Sequence, residues 1–177
     1  MKRLIIPAMF LMCLCAVAQQ NGPEPKVSAK NPQFDALKTL AGEWQMQSKM
    51  PDGKTATQTY RVVSGGSAII LEQNMPGEAN MITMFHPDGK KTVATHYCSM
   101  GNQPRMVAEA SSDTKVIAFK FKDVTNDDGK SGSMRDLTIK FIDADHHDHE
   151  WTWQDAKGKQ ETVTFHYVRA NSAATGK

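Results

Sequence analysis

The sequence predicts an all-β protein, an antiparallel up-and-down barrel of about ten strands with one short N-terminal capping helix. Three observations carry that prediction. After Gly42 the apolar residues recur with period two, turn signals follow at regular intervals, and a ten-stranded open meander would leave two exposed edges that closure removes.

The chain opens with a segment read as lying outside the fold. Lys2 and Arg3 give a basic start, Leu4 to Ala16 an apolar stretch broken by Pro7, and Ala16-Val17-Ala18 a small-residue cleavage signature. Residues 1–18 are therefore expected to be a signal peptide, too short for a membrane span of about 20 residues, and the protein is expected to be exported to the periplasm or beyond. Of 21 basic residues the leader takes Lys2 and Arg3 and no acidic one, so the mature chain sets 19 basic against 19 acidic. A net charge near zero without a Lys/Arg cluster argues against nucleic acid as a partner. Cys13 and Cys15 leave with the leader and Cys98 stands alone, so stability has to come from a hydrophobic core.

Residues 19–30 are polar and Pro-containing, the composition of a flexible linker. The domain is expected over 31–170, with 171–177 a disordered tail. Asn31 is a good N-cap and Pro32 suits the first helical position, while Phe34, Leu37 and Leu40 recur at helical spacing and Gly42 supplies a stop. Trp44, Met46, Ser48 and Met50 then alternate with polar residues as the first strand. Nine turns follow: "PDGK" at 51–54, "SGG" at 64–66, "PGE" at 76–78, "PDGK" at 87–90, "GNQP" at 101–104, "SSDT" at 111–114, "NDDGKSG" at 126–132, "DADH" at 143–146 and "DAKGK" at 155–159. Ile117, Phe119 and Phe121 share one face of their strand, as do Leu137, Ile139 and Phe141, and Val163, Phe165 and Tyr167.

Gly42-Glu43-Trp44 opens the first strand and Arg169 closes the last, in "FHYVRA". This resembles the calycin pattern of lipocalins, fatty-acid-binding proteins and nitrobindin-like haem proteins. There a G-x-W packs beneath a basic residue from the end of the barrel, a cation–π contact where first and last strands meet. "MITMFHPDGKKTVATHYCSMGNQPRM", with "LAGEWQ", "YRVVSGGSAIILE" and "HEWTW", is similar to the exported bacterial proteins of the DUF1579-like group, a calycin-like family without an established activity. The resemblance covers nearly all of the chain after Phe34. It implies fold and compartment and assigns no catalytic residue.

The segment His96 to Arg105 is the most unusual. His96, Cys98 and Met100 fall on one strand face, and Asn102 and Gln103 sit at the corner before Arg105. If Arg105 points inward, a ligand carboxylate is its natural partner; otherwise it pairs with Glu109 or another carboxylate. His96 and Cys98 are about 7 Å apart at the root, which disfavours a zinc or nucleophilic pair. In "DADHHDHEWTW" the first four residues read as a turn, and His147, His149, Trp151 and Trp153 then share a face, the tryptophans as a cavity wall and the histidines as an H-x-H pair near the barrel rim.

No nucleophile, base and orienter can be assembled, so a binding protein is expected rather than an enzyme, holding a small apolar or amphipathic molecule in the lumen through His96, Cys98, Asn102, Gln103, Arg105, Trp151 and Trp153. No cofactor is expected. The alternative is a metalloprotein, with haem at His166, where the resemblance to nitrobindin-like barrels places an iron ligand, or zinc at His147 and His149. Against haem, His166 shares a face with Thr162 and Thr164, opposite the apolar set.

Overall fold

Asn31 starts the fold by accepting the Phe34 backbone N–H on its side-chain oxygen at 3.0 Å. Pro32 takes the next position, where a missing N–H costs nothing, and α1 runs Pro32–Lys38. The computed structural model describes residues 30–170. The leader expected over 1–18, residues 19–29 of the linker and the tail expected over 171–177 lie outside the described residues. Phe34, Leu37 and Leu40 are all buried. The helix ends before Gly42, because Thr39 and Leu40 close it with bonds to Ala36 and Leu37 carbonyls. Gly42 instead makes the corner into the first strand at φ +127°, a conformation that L side chains rarely adopt.

Ten strands follow: β1 (Gly42–Met46), β2 (Thr57–Val63), β3 (Ala68–Asn74), β4 (Met81–Asp88), β5 (Lys91–Tyr97), β6 (Gln103–Ala108), β7 (Val116–Thr125), β8 (Ser133–Phe141), β9 (His146–Gln154) and β10 (Gln160–Arg169). Each pairs antiparallel with the next, and β1 pairs with β10, so the sheet is a closed barrel. The seam is short: Trp44 faces Arg169, Gln45 faces Val168 and Met46 faces Tyr167. No described helix is long and apolar enough to cross a membrane.

Several strand limits differ from those expected: β4 runs on to Asp88 and β9 begins at His146, both inside segments expected to be turns, and two further differences have clear local causes. β1 stops at Met46, four residues before Met50, because Met50 already belongs to the turn in which its N–H bonds Lys54 and its carbonyl takes the Gly53 N–H. Gln103 and Pro104, expected at a corner, begin β6. The corner closes one step earlier, where Gly101 at φ +83° donates to the Cys98 carbonyl at 2.9 Å.

Strand alternation fills the interior. Trp44, Tyr60, Phe85, Phe119, Leu137 and Tyr167 all point inward and are almost completely buried. The helix stands at one end, where Asn31 Nδ2 donates to the Lys91 carbonyl at 2.9 Å and to Thr92 Oγ1 at 3.1 Å. The turns at 64–67, 89–90, 109–115 and 142–145 share that closed end; the loops at 47–56, 75–80, 98–102, 126–132 and 155–159 frame the other, open end.

Candidate functional site

β9 carries the interior's polar core. His147 and His149 are both 0% exposed, deep inside the barrel and not at its rim as the sequence reading had them. The register is the cause: His147 pairs with Tyr167 and Phe141, and His149 with Phe165 and Ile139, all on the inward side of neighbouring strands. The His147 ring meets Trp44 edge-on at 4.3 Å and stacks on Tyr167 at 5.3 Å. Gln58 links the two histidines. Its Nε2 lies 3.1 Å from His149 Nδ1 and its Oε1 3.2 Å from His147 Nε2, while Tyr60 Oη lies 2.7 Å from His149 Nε2.

That network sets the protonation states. With the Gln58 amide so placed, its N–H donates to His149 Nδ1, which puts the His149 proton on Nε2 facing Tyr60. Burial pushes the His149 pKa well below its ordinary value, with the neighbouring His147 adding to it. Burial and then the Arg169 charge lower His147 to about 3. Both are neutral imidazoles. Since both nitrogens of His149 are engaged, as arranged it has no lone pair to offer a zinc ion.

A second polar group lies toward the open end. His96, 1% exposed, places Nδ1 at 2.9 Å from Thr83 Oγ1, which also reaches Gln73 Oε1 at 3.4 Å. Burial lowers the His96 pKa to about 4. Its ring lies 5.0 Å from that of Trp151. Cys98 and Met100 do not share its face, because β5 ends at Tyr97; Cys98 is half-buried in the turn and Met100 is exposed.

The rest of the 96–105 segment is structural in its contacts. Asn102, buried, donates to the Gly132 carbonyl at 2.8 Å and so ties the 98–102 corner to the 126–132 loop. Gln103 donates to the Gly101 carbonyl and accepts from Thr125. Arg105 faces outward, correcting the inward orientation considered from sequence. Its neighbours Pro104 and Met106 occupy the buried positions, and alternation sends Arg105 to solvent, where it forks onto Asp123 with one bond at 2.8 Å. Glu109 takes Lys91 instead.

His166 is likewise outside, its Nδ1 2.7 Å from Asp148 Oδ1 and its side chain 58% exposed. A haem ligand in a barrel has to reach the lumen, so His166 does not fit that role.

The two tryptophans do form a wall. Trp151, Trp153, Met134, Val163, Phe165 and Glu161 line a pocket of about 300 Å³ that opens to solvent at the open end. It is built from inward positions on three neighbouring strands, where Met134 pairs with Trp153, Trp153 with Glu161 and Trp151 with Val163. A bulge at Arg135 shifts the register between Met134 and Asp136 and keeps Met134 on the inner face. Gly132 packs so closely there that a Cβ would stand 2.7 Å from Trp153. The alternation of Val163 and Phe165 was readable in the sequence, but Met134 and Glu161 required the bulge and the cross-strand register. The roles of Gln58 and Tyr60 required the closed barrel, and that of Thr83 the β4–β5 register that sets it opposite His96.

The family model described as protein of unknown function (DUF1579) matches residues 30–169. No curated protein matches the chain. Among solved structures, the crystal structure of Rv2717c from M. tuberculosis is similar, with a TM-score of 0.55 and 12% identity, over 78% of this chain and 96% of that one. At that identity the likeness shows the fold alone.

Proposed function

The chain belongs to the DUF1579 family of proteins of unknown function, and from that premise we propose that it is an exported binding protein which holds a small, mainly apolar molecule at the open end of its barrel. The observation that carries this reading is the 300 Å³ pocket walled by Trp151, Trp153, Met134, Val163 and Phe165. Its size and apolar lining are those of sites for small organic ligands. Aromatic walls supply large contact area at little entropic cost, and a ligand burying about 250 Å² of apolar surface gains roughly 6 kcal/mol before the cost of association.

The pocket favours a ligand without a carboxylate. Its one charged lining residue is Glu161, and Arg105 lies on the outer face. Export rests on the basic start, apolar stretch and A-x-A signature of residues 1–18.

Native mass spectrometry of the protein purified from its own cell fraction tests both parts. The expected result is a mass beginning after Ala18, together with an extractable small organic molecule and quenching of tryptophan fluorescence when that molecule is added back. A cytoplasmic full-length protein would refute export. A fluorescence titration flat for every apolar probe would refute the pocket reading, and a visible absorption band or stoichiometric zinc would favour a metalloprotein.

A further inference from the structure

Trp151 is the most buried wall of the pocket, at 4% exposure, and its indole Nε1 has no hydrogen-bond partner among the described residues. Beside it His96, 1% exposed, leaves Nε2 equally without one. Buried polar atoms are nearly always paired, and leaving one unpaired costs about 1–3 kcal/mol. The two rings lie 5.0 Å apart, and Trp151 lines the pocket while His96 packs behind it; an occupant that pairs with both atoms would remove two such costs at once.

Their chemistry defines that occupant. Thr83 has one hydroxyl proton, and Gln73 Oε1, 3.4 Å away, can only accept it. His96 Nδ1–H then donates to Thr83 Oγ1 across 2.9 Å, the arrangement that satisfies all three groups. This tautomer leaves Nε2 as a bare acceptor. Trp151 Nε1–H is a donor only. Burial keeps the imidazole neutral, so no cation stands there to hold an anion. An acceptor beside a donor is met by one hydroxyl, which gives its own proton and accepts another. A carboxylate answers only the donor and faces a lone pair; an ammonium answers only the acceptor.

Resting on the pocket reading above, we propose that the ligand is a neutral hydroxylated amphiphile, an alcohol or phenol, whose hydroxyl is held between His96 Nε2 and Trp151 Nε1 while its apolar body lies against Trp153, Val163 and Phe165.

Three matched probes test this on the full mature chain: 2-naphthol, naphthalene and 2-naphthoate, titrated by calorimetry. Naphthol is expected to bind about 10-fold tighter than either of the others, against its greater affinity for water than naphthalene's. W151F and H96M are expected to lose that preference while still binding naphthalene. Equal binding of naphthol and naphthalene by the wild type would overturn the hydroxyl site and leave the pocket standing. A preference that survives in both variants would also overturn it, by placing hydroxyl recognition elsewhere. Binding of none of the probes would remove the pocket reading itself. Should circular dichroism show both variants unfolded, the wild type decides. Its Trp151 indole N–H resonance is expected to move downfield with 2-naphthol and not with naphthalene, and no movement would refute the contact.

Discussion

The guanidinium of Arg169 lies 4.1 Å from the centre of the Trp44 ring, and the two residues are registered partners across the seam between β10 and β1. Arg169 also donates to the carbonyls of Thr39, Ala41 and Ala144, which end the helix and cap the β8–β9 turn. One side chain thus joins helix, first strand, last strand and a closed-end turn. R169A is expected to cost about 2–4 kcal/mol, from the cation–π contact and the charged hydrogen bonds together. R169K keeps the charge but not the fork, and is expected to recover no more than half. Urea unfolding with unchanged slope measures both; a loss under about 0.5 kcal/mol for R169A would show that the seam does not depend on it.

Acid should destabilise the protein through its buried histidines. Burial lowers His96 from 6.5 to about 4 and, with the Arg169 charge, His147 from 6.5 to about 3, and it holds His149 well below its ordinary value. Below pH 6.5 the unfolded chain takes up protons that the folded chain refuses, so stability falls as pH falls. Each histidine contributes up to about 1.4 kcal/mol per pH unit, until the pH passes its folded pKa, and nothing above pH 6.5. Urea midpoints from pH 8 to 5 should be flat at first and then drop. H96Q should reduce the slope between pH 6.5 and 5 by about one histidine's share; an unchanged slope would mean that His96 is already accessible to protons.

Two glycines of one loop should behave differently on change to alanine. Gly132 has φ +68°, and its new Cβ would lie 2.5 Å from the Gln154 carbonyl oxygen and 2.7 Å from the Trp153 ring. Gly129 has φ +66° and open space around it. G129A is expected to cost about 1 kcal/mol from backbone strain alone. G132A should cost at least about 2 kcal/mol more and should shift tryptophan emission, because Trp153 has to move. Equal costs would deny the close approach.

Arg105 provides a negative control for the binding site. It pairs with Asp123 on the outer face, so R105A should leave the dissociation constant of a neutral apolar probe within a factor of two. A tenfold weakening in a fluorescence titration would mean that the ligand reaches this face and that the pocket has been placed on the wrong side of the sheet.

The barrel itself was legible because alternation and turn chemistry are local. Ile117, Phe119, Leu137 and Tyr167 announce the inner face from their own strands, and "PDGK" and "DAKGK" announce turns without reference to anything distant. Trp151 and Trp153 were legible as a wall for the same reason. His147 and His149 share that face and so had to be inside too, but a strand's depth along the barrel axis is set by pairing with β8 and β10, which no single segment encodes. Arg105 was ambiguous because one residue of register decides between lumen and solvent, and Pro104, read as turn, already belonged to the strand. Gln58 and Tyr60 gave no local signal. They acquire a role only when β2, far away in sequence, comes within reach of β9.

The short seam also makes the fold sensitive to chain completion. Trp44 stands near the start of the domain and its partner Arg169 at the last strand's final position, so closure has to wait until nearly the whole chain has emerged. Such long-range pairing makes folding slow and cooperative. A product truncated ahead of β10 retains no smaller closed barrel to fall back on. It presents β9 and β1 as bare edges, with the tryptophan–histidine interior open between them, and is thereby marked for aggregation or proteolysis before it can bind anything.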